Sequence, residues 1–240
     1  MIEVNPLEFS FEKIVKDALY EDLGHQGDIT SNSVIDKNLQ NSFVLKSRAD
    51  GVISGIQVAE LSFKILDSSL NFKKKLDDGS IVKKEDIIAT IDGYASSILS
   101  AERTALNFLS HLSGIASATN EMVNLISETN TKIVSTRKTT PNLRILEKFA
   151  VKDGGGMNHR FGLYDGILIK DNHLALSGSI TNSVSLAREK CGHMVNIEVE
   201  VDNLDQYREA LETQTNAILL DNFKIDDLVK AVNLNKKNII

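Results

Sequence analysis

From Lys132 onward the sequence alternates short apolar runs with helical patterns, and this rhythm restricts the possible folds more than any other feature. The runs lie at Lys132–Thr136, Gly166–Ile169, Val195–Val199 and Ala217–Leu220. Helical spacing occupies Leu143–Val151, Ile180–Lys190, Leu204–Leu211 and Ile225–Val232. Strand, helix, strand, helix in this order predicts a parallel sheet with crossover helices. Near-continuous apolar strands suit a sheet buried on both faces. A β/α barrel, complete or partial, is the favoured architecture, with an open doubly wound sheet as the alternative.

The earlier part of the chain lacks this rhythm. Phe11–Leu23 reads as an amphipathic helix through Ile14, Val15, Ala18 and Leu19. Ser42–Gly55 is extended, with a turn at Asp50-Gly51, and Val58–Leu66 is helical. Short β-type segments surround Phe72 and Ile88–Ile91, and Gly79–Gly93 reads as a strand, turn and strand of the hairpin kind. Ser97 to about Ser127 predicts one long helix, with Leu99, Ala105, Leu106, Leu109, Leu112 and Ile115 at helical spacing. Gly114 within it is expected to mark a break or a close helix contact.

Composition narrows the function. The 240 residues are 42% hydrophobic, enough for one large domain or two modest ones. A net charge of −6 gives no general electrostatic case for nucleic acid or an anionic membrane, so any anion site needs a local concentration of basic residues. The only cysteine, Cys191, excludes an intramolecular disulfide and fits a reducing cytosol. Met1–Leu23 is acidic, without a basic segment ahead of an apolar block. No stretch approaches the roughly 18 apolar residues of a membrane helix. A soluble cytoplasmic protein is expected.

Charged residues follow each apolar run. The first ends in Arg137-Lys138 and the second in Lys170-Asp171; the third carries Glu198 and Glu200, and the fourth ends in Asp221-Asn222. In β/α barrels the C-terminal strand ends build the active site, so these residues are expected to converge on a pocket with a cationic and a carboxylate side. Between Arg137 and Lys170 seven basic residues face three acidic ones. Arg144, Lys148 and Lys152 share a helical spacing and read as a solvated helix face. Arg137, Lys138, Arg160 and Lys170 stand at strand ends or beside a glycine loop and are the better ligands. Gly154-Gly155-Gly156 suits a turn or the approach of an anion to bare amides. With His159-Arg160 close behind, it suggests a carboxylate clamp, because arginine matches a carboxylate bidentately and histidine adds a directional donor. His173 closes the turn after Lys170. No CxxC or HExxH occurs; Glu200 and Asp221 suit instead a weakly held Mg²⁺ that arrives with a phosphorylated substrate.

Thr136-Arg-Lys-Thr-Thr-Pro-Asn-Leu-Arg144, Glu147-Lys-Phe-Ala-Val151, Gly154-Gly-Gly-Met-Asn-His-Arg160 and Leu168-Ile-Lys-Asp-Asn-His173 closely resemble the quinolinate phosphoribosyltransferase family. Further matches are Glu21-Asp-Leu-Gly24, Gly27-Asp-Ile-Thr-Ser31, Glu102-Arg-Thr-Ala-Leu-Asn107, Ile197-Glu-Val-Glu-Val201 and Leu219-Leu-Asp-Asn222, in family order. The resemblance implies an N-terminal α/β sandwich domain over residues 1–112, packed on an incomplete β/α barrel over residues 113–240, in a homodimer with a shared active site. It implies transfer of the phosphoribosyl group of PRPP to the quinolinate nitrogen with Mg²⁺, releasing pyrophosphate and CO₂ and giving nicotinate mononucleotide for NAD synthesis. By motif position, Arg137, His159 and Arg160 should hold the quinolinate carboxylates, joined by Arg103 from the neighbouring subunit. Lys138 and Lys170 should lie beside the reacting groups and PRPP, and Glu200 and Asp221 should face the ribose and metal.

The family pattern continues past Ile240 with another strand, a Ser-Gly-Gly turn and a glycine loop that help bind the PRPP 5′-phosphate. If that segment is absent, an exposed sheet edge, a weak phosphate site, low activity and aggregation are expected. Three other readings compete. A molybdenum-transport-associated relative shares the fold, but the set Arg103, Arg137, His159 and Arg160 suits a pyridine dicarboxylate. A Schiff-base lyase using Lys170 or Lys138 needs a dry lysine pocket. A non-catalytic anion-binding remnant would bind quinolinate without turnover.

Overall fold

The computed structural model describes residues 6–236 and 239–240, and the chain forms two compact units, one running to His159 and the other spanning Arg160–Ile240. Met1–Asn5, part of the acidic N-terminal stretch, and Lys237-Asn238, near the expected next strand, lie outside the described residues.

In the first unit, α1 (Pro6–Leu23) carries Phe11, Val15 and Leu19 inward at helical spacing. A short helix, α2 (Ile29–Val34), is capped by Asp28, whose carboxylate accepts from the amides of Thr30 and Ser31. Next come β1 (Gln40–Lys46), β2 (Gly51–Val52), α3 (Ile56–Leu66), β3 (Asn71–Lys74), β4 (Ile81–Val82) and β5 (Ile87–Tyr94). The main sheet is antiparallel, with order β1-β5-β3; β2 and β4 pair separately. The segment Gly79–Gly93 is therefore not a hairpin. Its two strands turn away from each other, β4 joining β2 and β5 entering the centre of the main sheet, because Ile88, Ala89 and Ile91 find a larger apolar surface there.

The 31-residue helix α4 (Ala95–Leu125) crosses this sheet beside α3. Ile56, Phe63, Leu70, Ile91, Ile98, Ala101 and Ala105 are buried together on the sheet side. Phe108 and Leu112, further along α4, meet α1, Val58 of α3, and Leu146 and Ala150 of α5 (Arg144–Asp153). Full burial of a Phe, Leu or Ile side chain contributes about 1.5–3 kcal/mol each, so α4 joins two cores. Gly114 neither breaks α4 nor marks a close contact. The helix passes through it, and a Cβ there would meet nothing within 4 Å.

The second unit repeats strand and helix: β6 (Ile167–Ile169), α6 (Asp171–Ser177), α7 (Ile180–Lys190), β7 (Ile197–Val201), α8 (Leu204–Leu211), β8 (Ala217–Leu220) and α9 (Ile225–Leu234). The strands are parallel in the order β6-β7-β8, as the sequence rhythm predicts. Ile197, Val199 and Val201 are fully buried, with Ile180, Val184, Tyr207, Ala210 and Ala231 packed around them. The expected strand at Lys132–Thr136 belongs to the first unit and forms only one parallel bridge, Val134 to Met157. The helix α6 was not foreseen. His173 explains it, since its Nδ1 accepts the amide of Lys170 at 2.9 Å and fixes the first turn. Among the described residues no helix is long and apolar enough to cross a membrane.

Candidate active site

In the second unit, strand ends carry the candidate carboxylates. Ile169 and Val199 are paired across β6 and β7, which places Lys170 beside Glu200 at the C-terminal edge. Lys170 Nζ donates to Glu200 Oε2 at 2.7 Å; the glutamate side chain is 12% exposed and the lysine 45%. Lys170 is thus in an ion pair open to water, not in the dry pocket that a Schiff-base lysine requires. Val201 pairs with Leu220, so Asp221 follows directly at the end of β8, where its amide donates to Val201 O at 3.0 Å. Asn222 adopts a left-handed φ of 53°, and its amide nitrogen donates to Asp221 Oδ2 at 2.8 Å. Arg160 is half-buried, and its Nη1 donates to Gly166 O at 2.9 Å.

In the first unit the cationic residues sit on loops. Residues 133–135 and 157 exchange main-chain bonds: Met157 N donates to Ile133 O at 2.8 Å and Ser135 N to Met157 O at 2.9 Å. This bridge brings the segment leading to Arg137 beside the segment ending in His159. Arg137 is half-buried, and its Nε is buried without a hydrogen-bond partner. A buried donor left unmade costs about 1–3 kcal/mol. Lys138 is exposed. Beyond it the chain turns at Thr140–Leu143, where Leu143 N donates to Thr140 O at 3.1 Å. Pro141 and Asn142 fill the central positions, with Asn142 at φ 66°, the pattern of a type II turn.

The loop is anchored by Glu147, a buried residue in the first turn of α5. Its Oε2 accepts from Thr140 N at 3.1 Å and its Oε1 is 2.9 Å from His111 Nε2. Burial pushes this carboxyl up, but the hydrogen bonds from Thr140 and His111 outweigh it and hold the group below its ordinary range. The next residue, Lys148, is fully buried; its Nζ donates to Ser135 Oγ at 2.8 Å and to His159 O at 2.9 Å. The helical spacing of Arg144, Lys148 and Lys152 had implied a solvated face, and only Lys152 is exposed. Arg144 is half-buried, with Nε donating to Thr139 Oγ1 at 3.1 Å. Lys148 instead shares the packed side of α5 with Leu146 and Ala150, because the polar chain ends at Ser135 and His159 are gathered there. Periodicity alone could not reveal this; the adjacency of an acid and a base, Glu147-Lys148, inside an otherwise apolar helical stretch was the available signal.

The glycine run closes α5 and offers no bare amides. Gly154 N, Gly155 N and Gly156 N donate to the carbonyls of Ala150, Lys152 and Val151. Gly155 holds φ 89°, and a Cβ on Gly154 would lie 2.3 Å from Ala116 O of α4. Of the two uses the sequence allowed, a turn or an anion cradle, the structure shows the turn.

Arg103 is exposed on α4 and lines a cavity of about 750 Å³ together with Lys46, Arg48 and Glu102. That cavity's wall includes no other candidate residue. Among the described residues no three His, Cys, Asp or Glu side chains gather as a metal-binding group.

Known proteins match along nearly the whole chain. Residues 28–113 match the quinolinate phosphoribosyl transferase N-terminal domain, and residues 115–240 match its C-terminal domain. A probable nicotinate-nucleotide pyrophosphorylase (carboxylating) of Bacillus subtilis is 42% identical over 229 residues, covering 95% of this chain and 78% of that protein. A like-named protein of Methanocaldococcus jannaschii is 41% identical over 92% of this chain and 77% of its own length. Among solved structures, NadC from Streptococcus pyogenes superposes with a TM-score of 0.90 at 37% identity, over 97% of this chain and 81% of that one. The nicotinate-nucleotide pyrophosphorylase of Ehrlichia chaffeensis gives 0.89 at 40% identity, over 97% and 82%. Matches of this extent across both domain types, with the α/β fold found here, place the chain in the quinolinate phosphoribosyltransferase family.

Proposed function

We propose that this chain transfers the phosphoribosyl group of PRPP to the nitrogen of quinolinate and releases CO₂, giving nicotinate mononucleotide. The observation that carries this reading is Arg137, with a buried, unpartnered Nε, held beside the segment that ends in His159 in a chain matched throughout by this family. A planar guanidinium so presented suits a carboxylate of a flat dianion.

In the first unit, Arg137 and His159 bind quinolinate carboxylates, and Lys138 faces the reacting groups. In the second, Arg160 adds a further guanidinium, and Lys170 serves PRPP beside Glu200. Arg103, exposed in the wall of a cavity whose lining holds none of these groups, serves the site of a second copy in a homodimer. Departure of pyrophosphate leaves an oxocarbenium-like ribose, which the carboxylates of Glu200 and Asp221 favour electrostatically. Mg²⁺ would supply charge neutralisation on the pyrophosphate; two carboxylates, one already paired with Lys170, suit an ion carried in by phosphate oxygens. Ribosylation makes the ring nitrogen cationic, so the adjacent carboxylate leaves as CO₂ without a covalent nucleophile; the electron pair of the broken C–C bond stays on the ring carbon, which then takes a proton from water.

Release of CO₂ from carboxyl-labelled quinolinate tests the reading. Release that requires both PRPP and Mg²⁺ is expected. Quinolinate binding with no release under any condition would overturn it in favour of a non-catalytic relative.

A further inference from the structure

We infer that Lys148 is a positioning residue for the quinolinate clamp, acting through the main chain of His159 and the side chain of Ser135; this rests on the function proposed above. Lys148 is 0% exposed. An ammonium is removed from water only where hydrogen bonds or charges replace the solvent it loses. Two of its donors are directed at the chain ends that carry the clamp. One reaches His159 O at 2.9 Å, on the residue assigned to a substrate carboxylate. The other reaches Ser135 Oγ at 2.8 Å, two residues before Arg137.

The donor and acceptor roles are consistent. Ser135 Oγ donates its own proton to Asn158 Oδ1 at 3.1 Å, leaving lone pairs for Lys148. Lys148 therefore bonds both segments directly, and Ser135 also ties its own segment to Asn158. Behind this point the described residues show one bridge between the two segments, Val134–Met157, and two main-chain bonds, a short ladder for fixing the spacing of Arg137 and His159. The spacing of two groups that grip one rigid aromatic ring must be held to within ~0.5 Å, and an error of ~1 Å costs on the order of 100-fold in rate. A compact ammonium with separately directed donors can bridge a hydroxyl and a carbonyl on two chains; a planar guanidinium or a thioether cannot reproduce both bonds.

The test is kinetic, calorimetric and thermodynamic on the full chain. Lys148→Met and Ser135→Ala are compared with the unaltered protein for KM of quinolinate, KM of PRPP, kcat, direct quinolinate binding and unfolding midpoint. Folded Lys148→Met is expected to lose about 10–100-fold in kcat/KM for quinolinate while the KM of PRPP moves less than about threefold. Ser135→Ala keeps the bond to His159 and should lose about 3–10-fold, again in quinolinate alone. A folded variant with unchanged quinolinate parameters, or with equal losses for both substrates, overturns the role. If Lys148→Met does not fold, Ser135→Ala decides by the same criterion. If the unaltered protein neither binds quinolinate nor turns it over, the functional reading fails and the positioning role fails with it; an active protein with indifferent variants removes only the latter.

Discussion

The candidate residues of the two units are held by different means. In the second unit, Lys170, Glu200 and Asp221 stand at the ends of parallel strands, where ladder register sets their backbone positions and the Lys170 side chain is half-exposed. In the first unit, Arg137, Lys138 and His159 stand on loops, and buried polar side chains of α5 fix those loops from behind. A ladder tolerates loss of any one side chain. A loop tied by Glu147 and Lys148 does not, so substitutions one layer behind the first-unit residues should cost stability that substitutions of those residues do not.

The largest effect separates binding from scaffold. Arg137→Ala removes a preorganised donor from a half-buried position and takes away little packing. Steady-state assays should show kcat/KM for quinolinate falling by about 100–1000-fold, of the order seen for loss of a directed donor in other active sites. Thermal unfolding should stay within about 0.5 kcal/mol of the parent, as for substitutions away from the core. A large loss of stability instead would mean that Arg137 belongs to the scaffold and that the contrast is drawn in the wrong place.

Glu147→Gln should show the converse balance. It weakens charge-assisted bonds to Thr140 N and His111 Nε2, so denaturant unfolding at neutral pH should reveal a loss of about 1.5–3 kcal/mol. The deficit has a defined pH dependence. The native carboxyl is held below the ordinary value of 4.5, so the unfolded chain binds the proton first and stability falls as pH drops through the native value. The difference between parent and Glu147→Gln should shrink there.

The other end of α5 behaves oppositely. Asp153, bonded to Ser54 Oγ at 2.6 Å, and Asp78, which caps Ile56 N at 2.8 Å, are both raised above the ordinary 3.8, chiefly by burial. Here the native state takes up the proton first, so acidification toward 3.8 adds stability from these groups. Parent minus Asp78→Asn should therefore increase as pH falls, against the trend for Glu147→Gln. Parallel slopes for the two variants would remove the distinction between the ends of the helix.

Legibility in the sequence follows the same division. The parallel β/α rhythm, and with it Lys170, Glu200 and Asp221 at strand ends, could be read because buried strands are apolar throughout and their ends are abruptly charged. α7, α8 and β8 fall on the expected residues for that reason. Lys148 could not be read in this way. Helical spacing groups it with Arg144 and Lys152, and only the chain ends folded against it show why a lysine is buried there. The Gly79–Gly93 segment shows a similar limit, since alternation identifies β4 and β5 but not their separate partners. The glycine run was readable as a turn, while its amides' engagement depends on where α5 ends.

The smallest expected effect tests the second-unit residues directly. Lys170 and Glu200 form a close pair at 2.7 Å, yet the lysine side chain is 45% exposed. Exposed or half-exposed pairs contribute about 0–1 kcal/mol, because water competes for the ammonium and holding it costs side-chain entropy. A double-mutant cycle with Lys170→Met and Glu200→Gln, read by denaturant unfolding, should give a coupling of at most about 1 kcal/mol. The same substitutions should nevertheless reduce turnover strongly, since both groups stand where the transferred ribose and its leaving group are proposed to lie. A coupling near that of a buried pair, about 3 kcal/mol or more, would show that the strand ends depend on this contact as the loops depend on α5. The ladder would then not suffice to hold the second-unit residues, and the candidate residues of both units would share one design.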